Sequence, residues 1–201
     1  MNKFSQVVIA ALAFGGSISA ASAAGVITNI TASGAGLGSF DFNIDDDDRT
    51  IDLSKTFDSV NPIVLTFTVG HDTGPGNPYT VSEAVTNSTG QDWIDFHYAI
   101  GEPDQGQGVV FTAHNSSTLS GFTLDQSSGP RNLDFTGSLA SGALAADAAF
   151  TISPFDPGQG NTTTFTLTQV PTIPEPETYA MLLAGLGLMG VMAKRRSSKN
   201  A

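Results

Sequence analysis

The 201-residue chain contains no cysteine, only eight basic residues and a single tryptophan. Without cysteine, neither a disulfide framework nor a thiolate metal site can form. Between the two ends of the chain the basic residues are Arg49, Lys55 and Arg131, against seventeen acidic residues from Asp41 to Asp156, so this part carries a charge of −14. Such a surface repels phosphate backbones and anionic headgroups. Nucleic acid is therefore excluded as an expected partner.

The N-terminus has the three-part order of a secretory signal. Lys3 precedes an apolar run from Val7 to Phe14, and small residues follow it up to Ala21-Ser22-Ala23. The apolar run is too short to cross a bilayer, and the pattern of small residues around Ala21 and Ala23 suits signal peptidase. The sequence predicts a signal peptide over residues 1–23, removed on export.

The C-terminus combines a proline-rich stretch, an apolar stretch and a basic cluster. Prolines at 171, 174 and 176 favour an extended stalk over residues 171–178. Residues 179–193 carry no charge and predict a single transmembrane helix, although fifteen residues span only about 22 Å as a helix. The cluster that follows, Lys194, Arg195 and Arg196, predicts a cytoplasmic tail over residues 194–201. The remainder of the chain then lies outside the cytoplasm.

This order of Pro174-Glu175-Pro176, a Leu- and Gly-rich apolar stretch and a terminal Lys-Arg-Arg resembles the PEP-CTERM sorting domain, over roughly residues 172 to 196. The resemblance implies a Gram-negative bacterium that makes exopolysaccharide, and processing by exosortase, an integral membrane enzyme. It also implies that Pro174, Glu175 and Pro176 are the recognition residues. The alternative is an ordinary single-span membrane anchor.

Residues 24–170 read as an exported domain built of short strands. Apolar and polar residues alternate in several stretches, as at Ile63, Leu65, Phe67 and Val69, which is typical of half-buried strands. Turns rich in Gly, Pro, Asn and Asp separate these stretches. The pattern predicts an all-β fold, an antiparallel β-sandwich of the Ig-like or jelly-roll kind. The strands are predicted at 25–32, 38–43, 63–69, 79–87, 93–100, 108–113, 118–123, 132–137, 146–152 and 164–169.

Two local features of this domain are more specific. We expect a hairpin from Tyr79 to Ile100 that turns at Asn87-Ser-Thr-Gly, with the Asn87 side chain capping the turn. Residues 139–149 fit either a short helix or a continued strand, and the sequence leaves both open.

Candidate binding chemistry is sparse. Asp45, Asp46, Asp47 and Asp48 could hold calcium through their oxygens, but the EF-hand spacing is missing and a solvated acidic loop is favoured. Trp93 could stack on a sugar if it faces solvent, although a lone tryptophan in a sandwich is more often part of the core. His71, His97 and His114 are too scattered for a metal site, and the many carboxylates give no particular pair special weight for glycoside hydrolysis. No cofactor is expected.

These observations favour a non-enzymatic protein of the cell surface or extracellular matrix. It would be made as a single-pass inner-membrane precursor, processed by signal peptidase and exosortase, and associated with exopolysaccharide or biofilm. One alternative is a secreted module that binds carbohydrate or calcium through Trp93 or residues 45–48. A secreted hydrolase is the least favoured.

Overall fold

The computed structural model describes residues 24–101, 108–143, 145–174 and 180–189. Within these ranges the chain forms twelve β-strands, one short 3-10 helix at His114–Ser116 and one α-helix, α1, at residues 180–189. The strands are β1 (Val26–Ser33), β2 (Leu37–Asp45), β3 (Thr50–Phe57), β4 (Ile63–Gly70), β5 (Tyr79–Asn87), β6 (Trp93–Gly101), β7 (Val110–Thr112), β8 (Thr118–Leu119), β9 (Phe122–Leu124), β10 (Asn132–Leu139), β11 (Ala146–Ser153) and β12 (Thr162–Thr172).

The strands form two sheets. The first sheet has the order β1-β4-β12-β6-β10-β9, and all of its pairings are antiparallel. The second sheet has the order β2-β3-β5-β11-β7, with β8 also pairing with β11. Among the described strands, the pairing of β3 with β5 is the one parallel pairing. The all-β prediction is therefore confirmed, while the second sheet is mixed rather than purely antiparallel.

One hydrophobic core lies between the two sheets. Alternate side chains of each strand enter it, and in β4 these are Ile63, Leu65, Phe67 and Val69, as the alternation predicts. Aromatic rings connect the sheets, since Phe57 of the second sheet packs edge-on against Trp93 of the first, with 5.2 Å between ring centroids. Such edge-to-face pairs add to the stabilisation that burial alone supplies.

The predicted hairpin from Tyr79 to Ile100 is wrong. β5 and β6 are both present, but β5 pairs with β3 and β11 in the second sheet, whereas β6 pairs with β10 and β12 in the first. The chain therefore crosses from one sheet to the other at residues 88–92. The predicted cap at this turn is confirmed, because the Asn87 side-chain oxygen accepts hydrogen bonds from the backbone N–H and the hydroxyl of Thr89, at 3.0 and 2.8 Å.

Two further strand assignments differ from the sequence pattern. The sequence analysis missed β3, in which Ile51, Leu53, Lys55 and Phe57 all point into the core, because a lysine interrupts the apolar alternation. Residues 139–149, which the sequence left open, contain the end of β10 and the start of β11, with turn residues between them. Residues 140–143 and 145 are turn or coil, so neither a helix nor a continued strand runs through this segment.

The C-terminal helix is short where it is described. Its ten residues extend about 15 Å, against a bilayer core of roughly 30 Å. No helix within the described residues combines the length and the apolar character required to cross a membrane. The predicted transmembrane segment, residues 179–193, extends at both ends into residues outside the described ranges.

Candidate functional site

The segment predicted as a stalk begins inside the fold. β12 continues to Thr172, and its residues Pro171 and Thr172 pair with Phe96 and Asp95 of β6. On the other side of β12 the pairing with β4 ends at Gln169. At Pro171, β4 is therefore no longer present to accept a hydrogen bond from β12. A proline, which has no backbone N–H to donate, is tolerated at this position. The strand therefore includes the first two residues of the predicted stalk.

The predicted processing residues are only partly within the described ranges. Pro174 is half-buried and lies two residues after the end of β12. The other predicted residues of the sorting motif, of signal-peptide cleavage and of the basic cluster lie outside the described residues: Glu175, Pro176, Ala21, Ala23, Lys194, Arg195 and Arg196. Their assignments remain predictions.

Helix α1 exposes a set of large apolar side chains. Met181 is 74% exposed, and the others are between 53% and 69% exposed: Leu182, Leu183, Leu186, Leu188 and Met189. None of these residues belongs to the hydrophobic core between the sheets or to the apolar residues that pack against it. An exposed apolar surface of this kind marks a segment that interacts with a membrane or another protein.

The acidic loop at residues 45–48 is held by its own carboxylates. The Asp45 side chain accepts hydrogen bonds from the backbone N–H groups of Asp47 and Asp48, both at 3.1 Å. The Asp46 carboxylate accepts a hydrogen bond from the Tyr79 hydroxyl. Burial and this hydrogen bond raise the pKa of Tyr79 to about 12. Two of the four predicted calcium ligands are therefore engaged in fixing the loop and joining it to the core.

Trp93 lies in the core and offers no ring face to a sugar. Its side chain is fully buried against Phe57 and Phe96, and its indole N–H donates to the Thr89 hydroxyl at 3.3 Å. A strict two-residue alternation along β6 would place Trp93 and Phe96 on opposite faces of the strand. Both are instead buried while Ile94 is 38% exposed, and this departure coincides with a register shift in the pairing of β6 with β10, between Thr136 and Leu139.

The three histidines lie in different surroundings. His71 contacts the Asp156 carboxylate at 2.9 Å, His97 contacts the Asp134 carboxylate at 2.8 Å, and His114 starts the short 3-10 helix. Within the described part of the chain, no three His, Asp or Glu side chains come together in an arrangement that could hold a metal ion.

The outer face of the second sheet carries a groove of about 440 Å³. Its polar lining includes two carboxylates and three hydroxyls, from Asp52, Asp147, Ser82, Thr118 and Ser120. Asp52 lies on β3 and Asp147 on β11, with β5 between them, and the strand pairings place Asp52 beside Ser82 and Asp147 beside Ala84. From strand spacing and rise, their Cα atoms are about 12 Å apart.

The sequence analysis also missed a buried polar cluster that joins the two sheets. Lys55 and Glu83, from the second sheet, form an ion pair with both side chains fully buried. From the first sheet, the Tyr98 hydroxyl donates to Glu83 Oε2 at 2.9 Å and Gln169 Nε2 donates to Glu83 Oε1 at 3.0 Å. Burial lowers the pKa of Lys55 even though Glu83 opposes this, and burial beside Glu83 raises the pKa of Tyr98. Glu83, a charged residue at an inward position of the predicted strand 79–87, was the available signal, because the strand that carries Lys55 was not predicted.

Fold and site together define a two-sheet β protein whose last strand leads directly into a proline-containing segment and an exposed apolar helix. Residues 172–196 match the family model of the PEP-CTERM protein-sorting motif. The chain thus carries a C-terminal sorting signal that marks an exported protein sorted by exosortase. Neither the curated proteins nor the solved structures contain a match to the chain.

Proposed function

We propose that this protein is a non-enzymatic component of the bacterial cell surface or extracellular matrix, released or attached after exosortase processing and associated with exopolysaccharide. The observation that carries the proposal is the sorting motif at residues 172–196, which starts at the last residue of β12. Because the motif follows β12 directly, processing near Pro174 would leave almost no residues of the chain after the last strand of the β domain.

The precursor is proposed to sit in the inner membrane. The exposed apolar residues of α1 fall within the predicted span 179–193, and Lys194, Arg195 and Arg196 follow it. Basic residues are retained on the cytoplasmic side, so the acidic β domain would lie on the outer side. The removable signal peptide predicted at residues 1–23 gives the same orientation.

The chemistry of the β domain supports a structural rather than a catalytic role. Its buried lysine and glutamate form hydrogen bonds and an ion pair inside the core, where no substrate reaches them. Its surface is strongly acidic, with seventeen acidic residues in the exported part. A surface of that charge stays soluble and can associate with neutral polysaccharide or with polymers bridged by divalent cations.

The test replaces Pro174, Glu175 and Pro176 together by alanine in the native host. We expect full-length protein to accumulate in the inner-membrane fraction, while the wild-type protein loses residues 194–201, as measured by mass spectrometry of the purified protein. Pro157→Ala is the matched control, because it removes a proline from a loop outside the motif. Unchanged maturation of the triple variant would contradict the assignment. Matrix association is tested separately, by co-fractionation of the wild-type protein with exopolysaccharide.

A carbohydrate-binding module is the second candidate, and the groove on the second sheet favours it. Hydroxyls and carboxylates such as Ser82, Thr118 and Asp147 are suitable hydrogen-bonding partners for sugar hydroxyls. If the groove binds sugar, Asp147→Ala should reduce retention on immobilised exopolysaccharide, whereas Asp41→Ala, at an exposed position outside the groove, should not.

A further inference from the structure

The Lys55–Glu83 pair brings an amine and a carboxyl group into direct contact in a region without solvent. Both side chains are fully buried, and Lys55 Nζ contacts Glu83 Oε1. The rings of Phe57 and Tyr98 lie beside the amine, with their centroids 5.9 and 6.0 Å from Nζ. The two side chains come from β3 and β5, adjacent strands in which Leu53 is the direct partner of Glu83.

The surroundings favour the neutral form of the Lys55 amine. Placing two charges in a low-dielectric interior is costly, and their mutual attraction recovers that cost only in part. Burial lowers the pKa of Lys55, which favours its neutral amine, the nucleophilic form of lysine. A neutral amine held against the carboxyl group of Glu83 supplies the two reacting groups of an amide bond.

We propose that Lys55 and Glu83 condense into an intramolecular amide bond that covalently joins β3 to β5. The Nζ lone pair attacks Glu83 Cδ, an N–C bond forms, and the bond from Cδ to Oε2 breaks. Oε2 leaves as one water molecule that carries two of the three protons shared by the amine and the carboxyl group, and the third proton stays on the amide nitrogen. The reaction requires no oxidant, metal or other reactant.

Two residues of the first sheet position and polarise the carboxyl group. The Tyr98 hydroxyl donates a hydrogen bond to Oε2, the oxygen that leaves, and polarises the carboxyl group. Gln169 Nε2 donates to Oε1, the oxygen that carries negative charge when the amine adds. The buried Oε1 of Gln169 has no hydrogen-bond partner among the described residues, so this side chain can also accept one.

The position of the bond also suits an exported protein without cysteine. The chain leaves β3, forms β4 in the other sheet, and returns to β5, so the parallel pair β3–β5 has no hairpin to hold it together. A covalent link between β3 and β5 closes a loop that contains the chain between them, including β4, and it restricts the unfolded chain as a disulfide would. Because the chain has no cysteine, a disulfide cannot supply that restriction.

Trypsin digestion of the full, denatured chain tests the proposal. Lys55 is the one lysine between Arg49 and Arg131, and trypsin does not cleave after a lysine whose amine is acylated. We expect residues 50–131 to appear as one uncleaved peptide, lighter than its sequence mass by one water molecule, with fragment ions that place the link between Lys55 and Glu83. Separate peptides 50–55 and 56–131 at full mass would overturn the proposal.

The control is Lys55→Arg, which cannot form the amide but retains a trypsin site. Its digest should contain peptide 50–55, whether or not the variant folds, and thereby shows that the site is accessible after denaturation. The wild-type digest could instead contain residues 50–131 joined to peptide 132–194, with a total mass that is lower by one ammonia molecule. That product would place the bond on Gln169 and overturn the assignment to Glu83. In Tyr98→Phe the cross-linked fraction should fall, and an unchanged fraction would contradict the role of the Tyr98 hydrogen bond.

Discussion

Replacing Asn87 by alanine should destabilise the fold far more than any replacement of an exposed asparagine. The Asn87 amide N–H groups donate to the carbonyl oxygens of Gln91 and Leu139, both at 2.9 Å, and its oxygen accepts two hydrogen bonds from Thr89. Asn87 thus joins the end of β5, the crossing to β6 and the end of β10. Losing these four hydrogen bonds should cost about 3 kcal/mol, or roughly 100-fold in the folding equilibrium.

The assay is urea unfolding of the purified protein, followed by the fluorescence of Trp93, the single tryptophan of the chain. Trp93 is a suitable reporter because it is buried and its indole N–H donates to Thr89, within the same turn. The matched control is Asn29→Ala, at an exposed position on β1, which should change the unfolding free energy by less than about 0.5 kcal/mol. If Asn87→Ala were no more destabilising than this control, the reasoning from its hydrogen bonds would be refuted.

Three further outcomes follow from the buried groups. Lys55→Met or Glu83→Leu alone should each cost about 3–5 kcal/mol of unfolding free energy, whereas the double variant should be more stable in urea than either single one, because it leaves no unpaired charge in the core. The raised pKa of Tyr79, about 12, means that its stabilising contribution is complete below pH 10 and lost as the pH rises to about 12. Tyr79→Phe should flatten that part of the curve of stability against pH. Adding neutral exopolysaccharide should leave the emission spectrum of Trp93 unchanged, and a shift would place its ring at a binding surface.

How far the sequence predicts the strands depends on how regularly their apolar residues alternate. In β4 and β5 the inward positions are mainly apolar, and the predicted ranges agree with the structure to within one residue. In β3 the inward series Ile51, Leu53, Lys55 and Phe57 contains a charged residue, so the pattern did not indicate a strand. Lys55 occupies an inward position because Glu83 on the neighbouring strand meets it, and a single strand read alone does not contain that information.

The arrangement of strands into sheets was less predictable than the strands themselves. A period of two residues shows which side chains of a strand face the core, but two strands on opposite sides of the same core have the same pattern. The turn between β5 and β6 therefore fitted a hairpin, although β5 and β6 lie in different sheets. Trp93 departs from the alternation of β6 where the pairing of β6 with β10 shifts register, and that shift involves the partner strand and not β6 alone.

The exposed helix allows sorting to be separated from folding in one experiment. Leu182 and Leu186 are 60% and 53% exposed and do not belong to the core, so replacing both by aspartate should leave the unfolding free energy of the β domain unchanged. In a membrane, by contrast, each aspartate near the centre of a span costs about 3 kcal/mol. We therefore expect cell fractionation to show the double variant outside the inner membrane and unprocessed. Gln159→Asp, which adds a charge to an exposed loop, should be processed as the wild type is. Normal processing of the double variant would mean that α1 takes no part in sorting.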